Sequence, residues 1–134
     1  MSDAASALDW MQAHNPNAHS CWIGGFSFGA WIAMQLMMRR PEISGFISIS
    51  PPASQHDFSF LAPCPADGLI VHGDKDEIVP VDSVEKLAQK LKSQKTISVD
   101  YEVIKGADHF YGNQMDKLTK IVDGYLDKSL TKPA

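Results

Sequence analysis

Only two cysteines, Cys21 and Cys64, occur in the 134-residue sequence, and both lie in apolar or Pro-rich surroundings. That is too few for a disulfide framework, so free thiols in a reducing, cytoplasmic setting are expected. No run of about 18 apolar residues is present, so no membrane span is expected. Met1 to Ala13 lacks a basic stretch followed by an apolar one and carries Asp3 and Asp9, so no signal peptide is expected. Blocks of Lys or Arg are also missing, and 12 basic against 16 acidic residues give a net charge of −4. This balance argues against a nucleic-acid or anionic-membrane surface. His72, Asp74, Asp76 and His109 are metal-capable side chains, but no H-x-x-x-H or C-x-x-C spacing organises them, and no metal is expected. Gly24 to Gly29 is glycine-rich but has neither a following lysine nor a G-x-G-x-x-G frame, so no nucleotide cofactor is expected. With no repeat, low-complexity tract or linker, residues 1–134 read as a single domain.

Hydrophobic residues make up 44% of the chain and charged residues 21%, enough apolar surface to collapse into a core. Helix and strand signals alternate along it. Ala4, Ala7, Leu8 and Met11 form an amphipathic stripe over Asp3 to Ala13, with Ser2 or Asp3 as N-cap. Cys21-Trp22-Ile23 reads as a short buried strand closing on Gly24-Gly25. A second helix is expected over Phe28 to Arg40, stopped by Pro41, and a strand over Phe46 to Ser50, stopped by Pro51-Pro52. After an irregular stretch, Leu69-Ile70-Val71 reads as a buried strand followed by a polar loop from His72 to Pro80. A helix capped by Asp82 or Ser83 is expected to about Lys92, with Asp82 and Glu85 at capping-box spacing. Val99, Tyr101 and Val103 alternate with polar residues, as in a strand with one covered face. Met115, Leu118, Ile121, Val122 and Tyr125 mark one face of a last helix. The pattern predicts an α/β fold of three α/β/α layers, about four strands and four helices, with a mostly parallel sheet. Trp10, Trp22, Trp31 and the Met34, Met37, Met38 group are expected mainly to pack in its core.

Between the first strand and the second helix lies Gly25-Phe26-Ser27-Phe28-Gly29, a G-x-S-x-G turn in the strand-to-helix context that gives this motif meaning. Glycines permit a sharp turn that lifts the Ser27 hydroxyl clear of the sheet. The following helix would aim the Phe28 N–H, aided by the helix dipole, at a developing oxyanion. A plain glycine-rich turn with an inert serine is the bland alternative. Two later loops weigh against it. Asp76 follows the third strand and His109, in Gly106-Ala107-Asp108-His109-Phe110, follows the fourth. Taken singly these are an ordinary loop carboxylate and a surface imidazole. Together with Ser27 they stand in the order Ser, Asp, His, each after the C-terminal end of a separate strand, where open parallel sheets build active sites.

These three segments resemble the α/β-hydrolases, and specifically the C-terminal half of small bacterial serine esterases related to dienelactone hydrolases. Gly25-Phe26-Ser27-Phe28-Gly29 is similar to that family's nucleophile elbow, Gly73-Asp74-Lys75-Asp76-Glu77-Ile78-Val79-Pro80 to its acid loop, and Gly106 to Phe110 to its histidine loop. The resemblance implies Ser27 as nucleophile, His109 as general base and acid, Asp76 as orienting carboxylate and the Phe28 amide as an oxyanion-hole donor. Asp74 competes for the acid role, and the family pattern, which uses the second aspartate, implies Asp76. Members of that family have several strands before the nucleophile, whereas Ser27 follows one helix and one strand. The segment that supplies a second oxyanion donor in such folds thus has no counterpart here, and loss of one such donor costs roughly 10²–10³ in rate.

The implied activity is hydrolysis of small uncharged esters through an acyl-enzyme on Ser27, rising with pH as the imidazole becomes free base. The alternative is a catalytically weak or silent fragment serving assembly or binding. Asp57-Phe58-Ser59-Phe60-Leu61 is either a pocket wall or a surface loop with a hydrophobic foot. Cys21-Trp22-Ile23 has an expected neighbour on one side only, so its other edge invites pairing with a second copy or with a strand-completing partner chain.

Overall fold

The computed structural model describes residues 2–131. Four strands form one parallel sheet: β1 (Trp22–Phe26), β2 (Gly45–Ile49), β3 (Asp67–Gly73) and β4 (Val99–Ile104), in the spatial order β1-β2-β3-β4. Helices α1 (Ser2–His14), α2 (Phe28–Arg39), α3 (Val81–Lys92) and α4 (Met115–Leu130) alternate with them, and a short 3₁₀ turn spans Ser59–Leu61. The expected α/β/α architecture is present.

The central strands explain the layering. β2 and most of β3 are buried on both faces, as continuous apolar runs in a parallel sheet must be. On one face, Phe46, Ile70 and Val99 pack with Met34, Leu36 and Met37 of α2 and with Val84, Leu87, Ala88 and Leu91 of α3. On the other, Ile47, Leu69, Val71 and Ile104 pack against Leu118 and Tyr125 of α4. Among the described residues no helix is long and apolar enough to cross a membrane. Both cysteines are free thiols, and burial pushes that of Cys64 up from its ordinary pKa.

Several boundaries differ from the sequence reading. β1 does not close on Gly24-Gly25 but runs through them to Phe26, because β2 pairs Ile47 with Gly24 and Ser48 with Gly25. β3 likewise continues past Val71, so His72 is a fully buried strand residue paired with Val103 rather than part of a loop. The capping box is absent. Helix α3 starts at Val81 with Pro80 as N-cap, and Ser83 turns its hydroxyl (2.6 Å) onto the Pro80 carbonyl. Helix α1 begins at Ser2, which puts Asp3 inside its first turn.

Apolar residues expected inside also divide. Met34 and Met37 are core residues, whereas Trp10, Met11, Met38 and Met115 are exposed. Along α1, Ala4 and Leu8 lean on the core while Ala7 and Met11 stand free, because the helix leans mainly on α2. Phe58 and Leu61 are buried between α2 and α3, and Asp57, Phe58 and Ser59 line a pocket of about 370 Å³, so the stretch has a hydrophobic foot and is also a pocket wall.

Candidate active site

All four strands deliver a functional-looking side chain to the same edge of the sheet, the C-terminal one. Ser27 follows β1 directly, Ser50 follows β2, Asp76 lies three residues beyond β3 and His109 five beyond β4. The turn at Ser27 is tight. Its φ of 55° and ψ of −123° lie outside ordinary L-residue conformations, the kind of backbone strain that persists only where surrounding structure enforces it. Two contacts enforce it here. The Ser27 N–H donates to the Ile49 carbonyl (2.8 Å), and Gly25 approaches the backbone of Gly29 so closely that a Cβ would collide with the Gly29 carbonyl. Gly29 itself has open space around its α-carbon and no positive φ. Only the first glycine of the motif is sterically required.

Ser27 is half-buried and its Oγ lies 2.9 Å from His109 Nε2. On the other side of the ring, His109 Nδ1 lies 2.6 Å from Asp76 Oδ2. The carboxylate can only accept, so Nδ1 carries the proton and Nε2 is free to accept from the Ser27 hydroxyl. Asp76 is held from behind, its Oδ1 accepting the N–H groups of Ile78 (2.8 Å) and Val79 (2.7 Å). Those two amides compensate a carboxylate whose side chain has no solvent exposure. Asp74, the competing acid, points elsewhere and accepts the Gly106 N–H, at 2.6 Å. It ties the acid loop to the histidine loop. Gly73 tightens that tie, since a Cβ there would meet the Ala107 backbone. Phe28 opens α2, and at this first helical position its N–H has no carbonyl within the helix to bond.

Two supporting residues, Ser50 and Tyr111, escaped the sequence reading of the site, while His72 backs it as the sequence led one to expect. Ser50, buried and at positive φ, places Oγ 2.8 Å from Tyr111 Oη and 3.3 Å from the His109 carbonyl. Tyr111, also at positive φ, donates to the Val71 carbonyl (3.2 Å), and burial lifts its phenol to a pKa of about 12. The pair anchors the histidine loop from beneath. His72 places Nε2 at 2.8 Å from the Val79 carbonyl and 3.4 Å from Asp76 Oδ2. A carbonyl only accepts, so Nε2 is protonated, and burial lowers the His72 pKa and keeps the ring neutral. Of the sequence signals, the serine and tyrosine next to strand-end and His-loop motifs were visible as residues, but their left-handed backbones were not.

Together these groups can lower the cost of removing the Ser27 proton and stabilise the imidazolium that results, which is the chemistry of an activated serine nucleophile.

The model of the dienelactone hydrolase family matches residues 1–131. An uncharacterised protein of Rickettsia prowazekii (strain Madrid E) is 54% identical over 128 residues, covering 92% of this chain and 54% of that protein. Among solved structures, a candidate α/β-hydrolase of unknown function from Agrobacterium tumefaciens is 53% identical with a TM-score of 0.93, covering 96% of this chain and 59% of its own. An α/β serine hydrolase homologue from Coxiella burnetii is 30% identical with a TM-score of 0.82, over 92% of this chain and 57% of its own. The chain thus spans a little over half the length of these relatives.

Proposed function

The chain belongs to the dienelactone hydrolase family, and on the hydrogen-bonded line from Ser27 through His109 to Asp76 we propose that it is a serine esterase for small uncharged esters. Ser27 Oγ attacks the ester carbonyl as His109 Nε2 takes its proton. The Phe28 N–H receives the developing oxyanion. His109 then passes the proton to the leaving alcohol, and water, activated by the same imidazole, releases the acid. Asp76 fixes the His109 tautomer and stabilises its charged form. No metal or cofactor enters these steps, and a reducing cytoplasm suits two free thiols.

The unbroken relay is the observation that carries this reading. A short-chain p-nitrophenyl ester assay tests it, with Ser27→Ala as control. Turnover in the wild type, abolished in Ser27→Ala, is expected; turnover that survives Ser27→Ala unchanged overturns it.

One observation favours a second reading, in which the chain serves assembly and turns over little substrate alone. Among the described residues β1 pairs only with β2, and beside its free edge lies an apolar groove of about 260 Å³ lined by Ala7, Leu8, Met11, Trp22 and Ile23, among others. Neither Lys nor Pro blunts this edge, so a strand from a second copy or from a separate chain pairs along it in this reading. Light scattering decides: a soluble monomer at micromolar concentration speaks against assembly, and a specific activity that climbs with association supports both readings together.

A further inference from the structure

The aromatic rings around Ser27 fall into two groups by what they pack against. Phe28, Trp31 and His56 pack on one another, with Trp31 and His56 stacked at 4.4 Å and Phe28 within 5.6 Å of both. Trp31 is pinned further by its Nε1–H, which donates to the Asp57 carbonyl at 3.0 Å. Phe26 and Phe110 lie instead against the catalytic imidazole, their ring centres 5.3 and 5.1 Å from that of His109 and 5.9 Å from each other. They are 42% and 62% exposed, and Phe28 is 54% exposed, so contact with His109 is what sets Phe26 and Phe110 apart.

Phe110 is not a loose side chain on a loose loop. Asp108 Oδ1 accepts both the Phe110 N–H (3.0 Å) and the Gly112 N–H (3.1 Å), which fixes the backbone that presents the ring. Two uncovered rings are therefore held in place around the group that must hand a proton to the leaving alcohol. That alcohol's oxygen has to come within hydrogen-bond reach of His109 Nε2. Whatever the oxygen carries then extends by a few ångströms, the distance at which the two rings stand. The negative charge of Asp108 beside them disfavours an anionic substituent, and aromatic pairs gain more than equal areas of aliphatic contact.

We propose that the leaving group of the natural substrate is an uncharged arylmethyl (benzyl-type) alcohol seated against Phe26 and Phe110. This rests on the esterase reading and specifies its alcohol side. In the first step a bond forms between Ser27 Oγ and the acyl carbon, the bond from that carbon to the benzyl oxygen breaks, and the Ser27 proton moves through His109 to that oxygen. Water then cleaves the acyl-serine, so the products are the free acid and benzyl-type alcohol, with no oxidant or reductant involved.

The test compares benzyl acetate with ethyl acetate, which share the acyl group and release primary alcohols. The wild type is expected to show kcat/KM about tenfold higher for benzyl acetate. Phe110→Ala and Phe110→Leu are expected to bring that ratio close to one, and Phe110→Tyr to keep it, with thermal melts verifying that each variant is folded. A fluorophosphonate that labels Ser27 reports the nucleophile independently of any alcohol. A ratio near one in the wild type, a ratio unmoved by both Phe110→Ala and Phe110→Leu, or Ser27 labelling without hydrolysis of either ester overturns the leaving-group assignment and leaves the serine nucleophile standing. No labelling and no hydrolysis overturn both.

Discussion

The C-terminal edge of the sheet and the flank where α1 meets β1 are held by different physics. At the C-terminal edge, polar groups are buried and paired: Asp76 accepts from two amides and His109, and Asp74 stitches the acid loop to the histidine loop. Such a network is costly to break, because removing one member strands another in a low-dielectric interior. At the α1 flank no residue of the helix is buried, and its polar anchors are exposed or half-buried contacts of Arg40 with Asp9, Gln12 and Glu42. Exposed ion pairs of that kind contribute little. One end of the molecule is specified by directional bonds among buried groups, the other by a shallow apolar contact. Precision is concentrated where chemistry is proposed.

Removing the orienting acceptor should produce the largest effect. Asp76→Asn keeps the shape and the two amide contacts to its carbonyl oxygen but presents an NH₂ or a weaker acceptor to His109 Nδ1. Turnover is expected to fall by roughly 10³–10⁴, with an unchanged circular dichroism spectrum. Asp74→Asn, which touches only the Gly106 amide, is expected to cost far less in kcat. If Asp74→Asn is the damaging substitution, the buried network does not do what its geometry indicates.

The two glycines of the turn make the next test. In Gly25→Ala the new methyl meets the Gly29 carbonyl, so either the turn or the start of α2 must move, and Ser27 moves with it. A displacement of about 1 Å at the nucleophile is worth on the order of 10² in rate. Gly29→Ala meets nothing and adds a better helix former, which stabilises a helix by up to about 1 kcal/mol. Equal losses in the two variants would show that the turn is not clamped at Gly25.

A smaller effect comes from His72. It is neutral in the fold because burial lowers its pKa, while in the unfolded chain it titrates at the ordinary value of about 6.5. Above that pH neither state binds the proton and stability is flat. As pH falls below it, the unfolded chain takes up a proton that the native one refuses, so stability drops by up to about 1.4 kcal/mol per pH unit until the native ring also titrates. Denaturant midpoints between pH 7 and pH 5 should reveal this slope. His72→Gln, which can still donate to the Val79 carbonyl, should flatten it.

How much of this was readable from the chain alone follows the same division. The fold class and the alternation of elements were legible because β2 and β3 are short apolar runs bounded by turn residues, and because the α1 and α4 stripes keep helical spacing. Ser27, Asp76 and His109 could be named as candidates because each sits in a short motif after a strand. The choice between Asp74 and Asp76 needed the resemblance, since spacing cannot tell which of two carboxylates two residues apart turns inward. Strand ends were misplaced at Gly24-Gly25 and His72, where ladder pairing with a neighbour overrides local propensity. Ser50 and Tyr111 were invisible in their roles, because those depend on left-handed backbones and on contacts across some sixty residues. The half-covered α1 has a related cause: periodicity tells which residues share a face, and not how much of that face is covered.

That last point gives the smallest and most local effect. Arg40 Nη2 reaches Asp9 Oδ1 (2.8 Å), Gln12 Oε1 (3.1 Å) and Glu42 Oε2 (2.9 Å), so one guanidinium joins α1 to the turn that leads into β2. Its bond to Glu42 holds that carboxyl down at about 2, and Gln12 adds a second contact, at 3.0 Å. Asp9 and Glu42 face water while the Arg40 side chain is 21% exposed, so salt screens these pairs in part and long side chains lose rotamer freedom on pairing. Replacing Arg40 by Gln should therefore barely move the global melting midpoint. The α1 amides, however, depend on this contact and on Ala4, Ala5 and Leu8, so they should exchange hydrogen faster in Arg40→Gln, while amides of β2 and β3 exchange as in the wild type. Raising the ionic strength of the wild type should mimic the substitution in part. A cooperative loss of protection across the central strands would show instead that the α1 flank and the C-terminal edge unfold as one unit, and the contrast between them would fall.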